Sequence, residues 1–126
     1  MNKEDLAIRL NILLEQDVIQ KEAYDVTIEA FEKLIKVLEK DDIKQAEMLF
    51  THLPTALTRI AKGEGVEGPN EDMLQEVMEH EYYPLAKQQV DELKRSWQKD
   101  LPKSEYDYLL LHYTNVISMN KGGKEG

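Results

Sequence analysis

Apolar residues return at helical intervals along nearly the whole chain and never settle into strict alternation with polar ones. Leu6, Leu10 and Leu13 stand at i, i+4 and i+7 in a first segment, over about Glu4–Glu15. Ala30, Phe31, Leu34, Ile35 and Leu38 keep the same period in a second, over about Lys21–Lys40. A stripe at this period is the face of a helix, and it has to be buried against other helices. The expected fold is all-α, a compact bundle of about five to six helices.

The breaks in the pattern divide the rest. Asp41-Asp42 ends the second segment and supplies acidic residues for the start of a third, which runs to about Lys62. Its inner face is Ala46, Leu49, Phe50, Leu53, Leu57 and Ile60. Pro54 falls inside this helix, where it removes a backbone hydrogen bond and crowds the preceding turn, so a kink or break is expected beside His52. Gly63, Gly65, Gly68 and Pro69 form a loop. Asn70 is placed to cap a short helix whose Glu71 and Asp72 meet the dipole, with Met73, Leu74, Val77 and Met78 turned inward. Pro84, after Tyr82-Tyr83, suits the first turn of a fifth helix through Ala86, Val90, Leu93 and Trp97. Leu101-Pro102 separates it from a sixth, where Ser104 and Asp107 have the spacing of a capping box with Asp in place of Glu. Tyr106, Leu109, Leu110, Tyr113, Val116 and Ile117 make its buried stripe. A length of 126 residues fits one domain. It is expected over residues 1–118, with a flexible tail over 119–126 in which Lys121–Gly126 has no apolar residue.

Composition removes several classes of function. The absence of cysteine excludes a disulfide scaffold, thiolate catalysis and sulfur-bound zinc, and suits a cytoplasmic protein. Apolar runs are no longer than short ones such as Leu109-Leu110-Leu111, and the charged start has no long apolar run behind it. Neither a membrane span nor a signal peptide is expected. The net charge is −9 with scattered lysines and arginines, which opposes the phosphate contacts that nucleic-acid binding needs.

Two histidines carry the chemical interest. His52 has Arg59 at i+7, and His112 has Glu105 at i−7. Seven residues come within about 20° of two full turns, so each pair lies along one ridge of its own helix. His112 sits about 100° from Tyr113, at the margin of the apolar stripe, and His52 lies off the centre of the Leu49–Leu53–Leu57 line. Both rings are expected to be half-exposed, as two matched sites. A carboxylate reaching an imidazole would orient it and raise its pKa, whereas an arginine beside His52 would disfavour imidazolium and favour an added anion such as phosphate. Plainer readings remain open: histidines in water, Glu105 meeting a helix dipole, Arg59 solvated late in its helix. His80 reads as solvated. His52, His112 and Glu105 are chemically allowed as metal ligands, but no H-x-x-x-H or E-x-x-H spacing occurs. No metal, cofactor or enzymatic activity is expected, since Ser96, Ser104 and Ser118 lack a nucleophile-elbow setting and Gly63–Gly68 lacks the Lys-Ser/Thr element of a phosphate loop.

Taken in order, Phe50-Thr51-His52-Leu53 with Ala56-Leu57-Thr58-Arg59, then Gly68-Pro69-Asn70, then Leu101-Pro102-Lys103-Ser104-Glu105 and Leu109-Leu110-Leu111-His112 resemble the PTS regulation domain, or PRD, of the bacterial sugar phosphotransferase system. The resemblance covers roughly residues 15–118. It implies a helical bundle that commonly dimerises, with His52 and His112 as phosphoacceptors. Their donors would be the phosphocarrier HPr or a sugar-specific enzyme IIB component, and phosphorylation would shift the dimer arrangement. Arg59 and Glu105 match the family's charged neighbours of the two histidines, and Asn70 a polar position after the central loop. Family members usually occur in tandem beside an RNA-binding or DNA-binding output domain. One unit is present here, so a stand-alone member acting through a separate regulator protein is expected. A reading of another class is a helical dimeric scaffold that is not phosphorylated. A third is a metal-dependent enzyme built on His52, His112 and Glu105.

Overall fold

A computed structural model describes residues 1–64 and 68–121. They form α1 (Lys3–Glu15), α2 (Lys21–Leu38), α3 (Glu47–Ala61), α4 (Glu71–Met78), α5 (Tyr83–Ser96) and α6 (Lys103–Lys121), with no strand among the described residues. The all-α bundle read from the apolar period is the observed architecture. Among the described residues, no helix is long and apolar enough to cross a membrane.

Helix α2 is central because both its width of apolar face and its length serve several neighbours: Ala23, Val26, Ala30, Phe31, Leu34 and Leu38 are all buried. It packs against α1, α3, α5 and α6, and α6 in turn receives α3, α4 and α5. A line of aromatic rings fixes the middle. Phe31 meets Phe50 of α3 edge-on at 5.0 Å, and Phe50 meets Tyr113 of α6 at 6.5 Å. Such edge-to-face contacts add to the burial of the rings themselves. Phe50 lies two residues before His52, and Tyr113 directly follows His112, so this buried line sets the two histidine-bearing turns against each other.

Several local expectations are corrected. Helix α3 starts at Glu47, not just after Asp41-Asp42. Residues 40–46 form a loop instead, entered through Glu39 in the left-handed region (φ 57°) and pinned by buried Ile43 and Ala46. The loop is tied at one point to α6: the Asn120 amide accepts from Lys44 N at 2.8 Å and donates to the Lys44 carbonyl at 2.9 Å and the Val116 carbonyl at 2.7 Å. This is also why α6 runs to Lys121, past the expected boundary at 118, with Asn120 buried. Pro54 does not break α3, which is continuous from Glu47 to Ala61 with Pro54 in its buried face. Core packing of Leu53, Pro54 and Leu57 outweighs a local cost of about 3 kcal/mol. The Thr55 hydroxyl takes up neighbouring carbonyls, donating to His52 O at 2.9 Å and Thr51 O at 3.1 Å.

On the eight-residue α4, Val77 is buried, but Met73 and Met78 point to solvent, because so short a helix buries only one line of side chains. Ser104 falls inside the first turn of α6, and Asp107 pairs with Lys103 at 2.7 Å rather than completing a capping box. The capping box is at α1, where Asn2 accepts from Asp5 N at 2.8 Å and Asp5 accepts from Asn2 N at 3.3 Å. Gly65 of the expected loop and residues 122–126 of the expected tail lie outside the described residues.

Candidate functional site

Helix α3 carries His52 and Arg59, and α6 carries Glu105, Tyr108 and His112. Where the two helices meet, the imidazoles of His52 and His112 come together with ring centroids 5.0 Å apart, tilted by 38°. Tyr108 lies 5.9 Å from the His52 ring and stacks on His112 at 6.0 Å. The two sites expected from the sequence are therefore one.

The charged partners are crossed relative to the expectation. Glu105 does not pair with His112 on its own helix, because seven residues separate them by about 10 Å of helical rise. It reaches across to α3, with Oε1 3.3 Å from His52 Nε2 and Oε2 3.5 Å from Arg59 Nη2. Arg59 is thus joined to His52 through the carboxylate. The Glu105 side chain is 1% exposed, His52 21% and Arg59 33%, so the carboxylate forms the floor of the site and the two basic groups its walls. The His52 contact is off-line for a hydrogen bond, and Nε2, Oε1 and the Arg59 Nε each lie buried without a hydrogen-bond partner.

Burial decides the charge state of the pair. The His52 imidazole is held below its ordinary pKa chiefly by desolvation; Glu105 opposes this and Arg59 reinforces it. His112 is pushed down to about 4, by desolvation first and by His52 second. Glu105 does favour the protonated form of His52, as a carboxylate should, but burial outweighs it. Near neutral pH both rings are uncharged and keep a nitrogen lone pair.

Both rings also border the surface. His52 edges a cleft of about 590 Å³ with Met48, Thr51 and Thr55, and His112 edges one of about 210 Å³ with Met48, Asn115 and Met119. Met48 is 72% and Met119 48% exposed, which gives the histidine pair an apolar rim.

Asn70 is not in this cluster. It caps α4 by accepting from Met73 N at 2.8 Å. His80 is exposed, and its Nδ1 accepts from Tyr82 N at 3.1 Å. No group of three His, Cys, Asp or Glu side chains is placed to hold a metal among the described residues. Tyr108 was not anticipated; its signal was its place one turn before His112, on the side that faces α3.

Fold and site together define an all-helical domain with a paired-imidazole site where two of its helices cross. The family model described as PRD domain matches residues 35–116, from the end of α2 into α6, and the chain belongs to that family. PRD domains are regulatory domains answering to the phosphotransferase system, not catalysts. His52, Arg59, Asn70, Glu105 and His112 all fall within the matched span. Comparison with curated proteins and with solved structures gave no match.

Proposed function

We propose that this domain accepts phosphoryl groups on His52 and His112 from the phosphocarrier HPr or a sugar-specific enzyme IIB component. In this reading it works in the cytoplasm and passes its modification state, by protein contacts, to a second copy of the chain and to a separate regulator of carbohydrate transcription. The observation that carries the reading is the meeting of two uncharged imidazoles, 5.0 Å apart, beside a guanidinium. An uncharged ring has the lone pair that attacks phosphorus, and imidazole is an established covalent acceptor. Arg59, one-third exposed with an unpartnered Nε, supplies donors for the anionic product.

A phosphoryl group adds about −1.5 to −2 charges by analogy with phosphorylated hydroxyls. Placed at the Met48–Met119 rim of a chain already at −9, that charge alters what the face will bury. The test is to incubate the protein with enzyme I, HPr and labelled phosphoenolpyruvate, beside His52→Ala and His112→Ala. Acid-labile label that is reduced in each variant is the expected result. No label from HPr or from a panel of enzyme IIB proteins sinks the reading. Sedimentation of the labelled and unlabelled protein then tests the switch, and identical self-association in both states counts against it.

A further inference from the structure

The floor of the site distinguishes the two nitrogens of His52. Nε2 is closed off from solvent and faces Glu105 Oε1 at 3.3 Å; Oε1 is closed off as well. A ring carrying its lone pair on Nε2 would set that pair against a carboxylate in a dry setting, with no donor between them. A ring carrying the proton there makes the same 3.3 Å approach an attractive one between an N–H dipole and an anion, even though its angle falls short of a hydrogen bond. Nδ1 is on the other side of the ring, is not among the closed, unpartnered atoms, and belongs to a side chain that edges the surface cleft beside Met48 and Thr51.

We propose that Glu105 is a positioning residue that holds the proton of His52 on Nε2, so that Nδ1 is the nitrogen that takes a phosphoryl group. The biological use of this chemistry rests on the phosphorelay reading above, but the choice of nitrogen can be tested without it. With phosphoramidate as donor, the Nδ1 lone pair attacks phosphorus, the P–N bond of the donor breaks, and its electron pair leaves with ammonia. No proton has to leave the ring, because Nδ1 carries none. The product is an N-phosphoimidazolium whose positive charge, at Nε2–H, lies against the Glu105 carboxylate. That charge gives Glu105 a stabilising role in the product as well as an orienting one in the acceptor.

The experiment treats the folded, full chain with phosphoramidate and follows phosphorus NMR over hours, with His52→Ala and His112→Ala to assign signals. The expected result is that His52 carries only the Nδ1 isomer, even at long times. Chain unfolded in urea should accumulate the Nε2 isomer as well, since nothing then closes that nitrogen. Long-range ¹H–¹⁵N NMR of the untreated protein should show His52 protonated at Nε2, and Glu105→Ala should allow the Nε2 isomer to form on the folded protein. An Nε2 phosphate on His52 of the folded wild type, or a lone pair found at Nε2 before treatment, overturns the proposal. Both readings come from the wild type and do not depend on the variant folding. Should phosphoramidate label Nδ1 while HPr and enzyme IIB proteins label nothing, the phosphorelay falls and the assignment of the nitrogen stands.

Discussion

Glu105 is the residue on which the site turns. A buried carboxylate is costly unless charged or donor groups compensate it, and removing one partner of such a group costs more than the pair contributes. Here compensation is shared between an arginine at 3.5 Å and an uncharged imidazole at 3.3 Å. Arg59→Ala should therefore act on His52. Loss of the nearby positive field favours imidazolium, so the pKa of His52 should rise, a shift read directly by NMR titration of its ring protons. The same change should cut phosphoryl incorporation by about tenfold or more, the worth of one or two charge-assisted hydrogen bonds. An unchanged titration would mean that Arg59 is electrostatically remote from the ring. The residues of this site were legible in the sequence, but their pairing was not. A seven-residue interval reports which side chains share a ridge of one helix, and says nothing of which ridge of another helix will lie opposite. The crossing of α3 over α6 put Glu105 against His52 instead of His112, and that crossing depends on the Phe31–Phe50–Tyr113 packing, a long-range fact with no local signature.

At the level of elements, the link between the 40–46 loop and α6 rests on one side chain. Asn120→Ala removes three hydrogen bonds and leaves Lys44 N without its acceptor. The expected cost is about 2–3 kcal/mol, or roughly 5–10 °C in melting temperature by calorimetry. A change under 1 °C would show that the loop is held by Ile43 and Ala46 alone. Asn70→Ala, by contrast, deletes only the α4 cap. It should cost about 1 kcal/mol and leave phosphoryl incorporation at wild-type level, which separates a residue that stabilises a helix from one that serves the histidines. Six helices were legible because their apolar periods were long. What was missed lay at the ends. Asp41-Asp42 looks like the acidic start of a helix, yet the chain needed a further turn of loop to bury Ile43 and Ala46. Ser104 with Asp107 has capping-box spacing, but Pro102 brings the helix start forward and Lys103 claims Asp107. Pro54 misled in the other direction: a proline can break an isolated helix, whereas this one lies in a helix kept continuous by the core on its flank.

For the molecule as a whole, burying two imidazoles couples folding to pH. His112 falls from 6.5 in the unfolded chain to about 4 in the folded one, and His52 moves the same way. The unfolded state therefore binds more protons between those limits, and stability must fall as the pH drops through that window. Well above pH 6.5 both rings are uncharged in both states and contribute no slope. Carboxylates also weaken the fold in acid, but those held low here, Glu29 and Asp91, start from 4.5 and 3.8, so their contribution begins later. A decline that sets in between pH 6.5 and 5 thus belongs to histidine. Allowing for solvent screening of half-buried rings, urea unfolding should show a loss on the order of 1–2 kcal/mol between pH 6.5 and 4.5. His112→Asn, which keeps a polar group of similar reach but cannot protonate, should flatten that upper part of the curve while leaving the steeper fall below pH 4.5. If wild type and variant run parallel from pH 7 to 5, the imidazole pair does not titrate as a buried unit, and the uncharged state on which phosphoryl acceptance depends would have to come from water access instead.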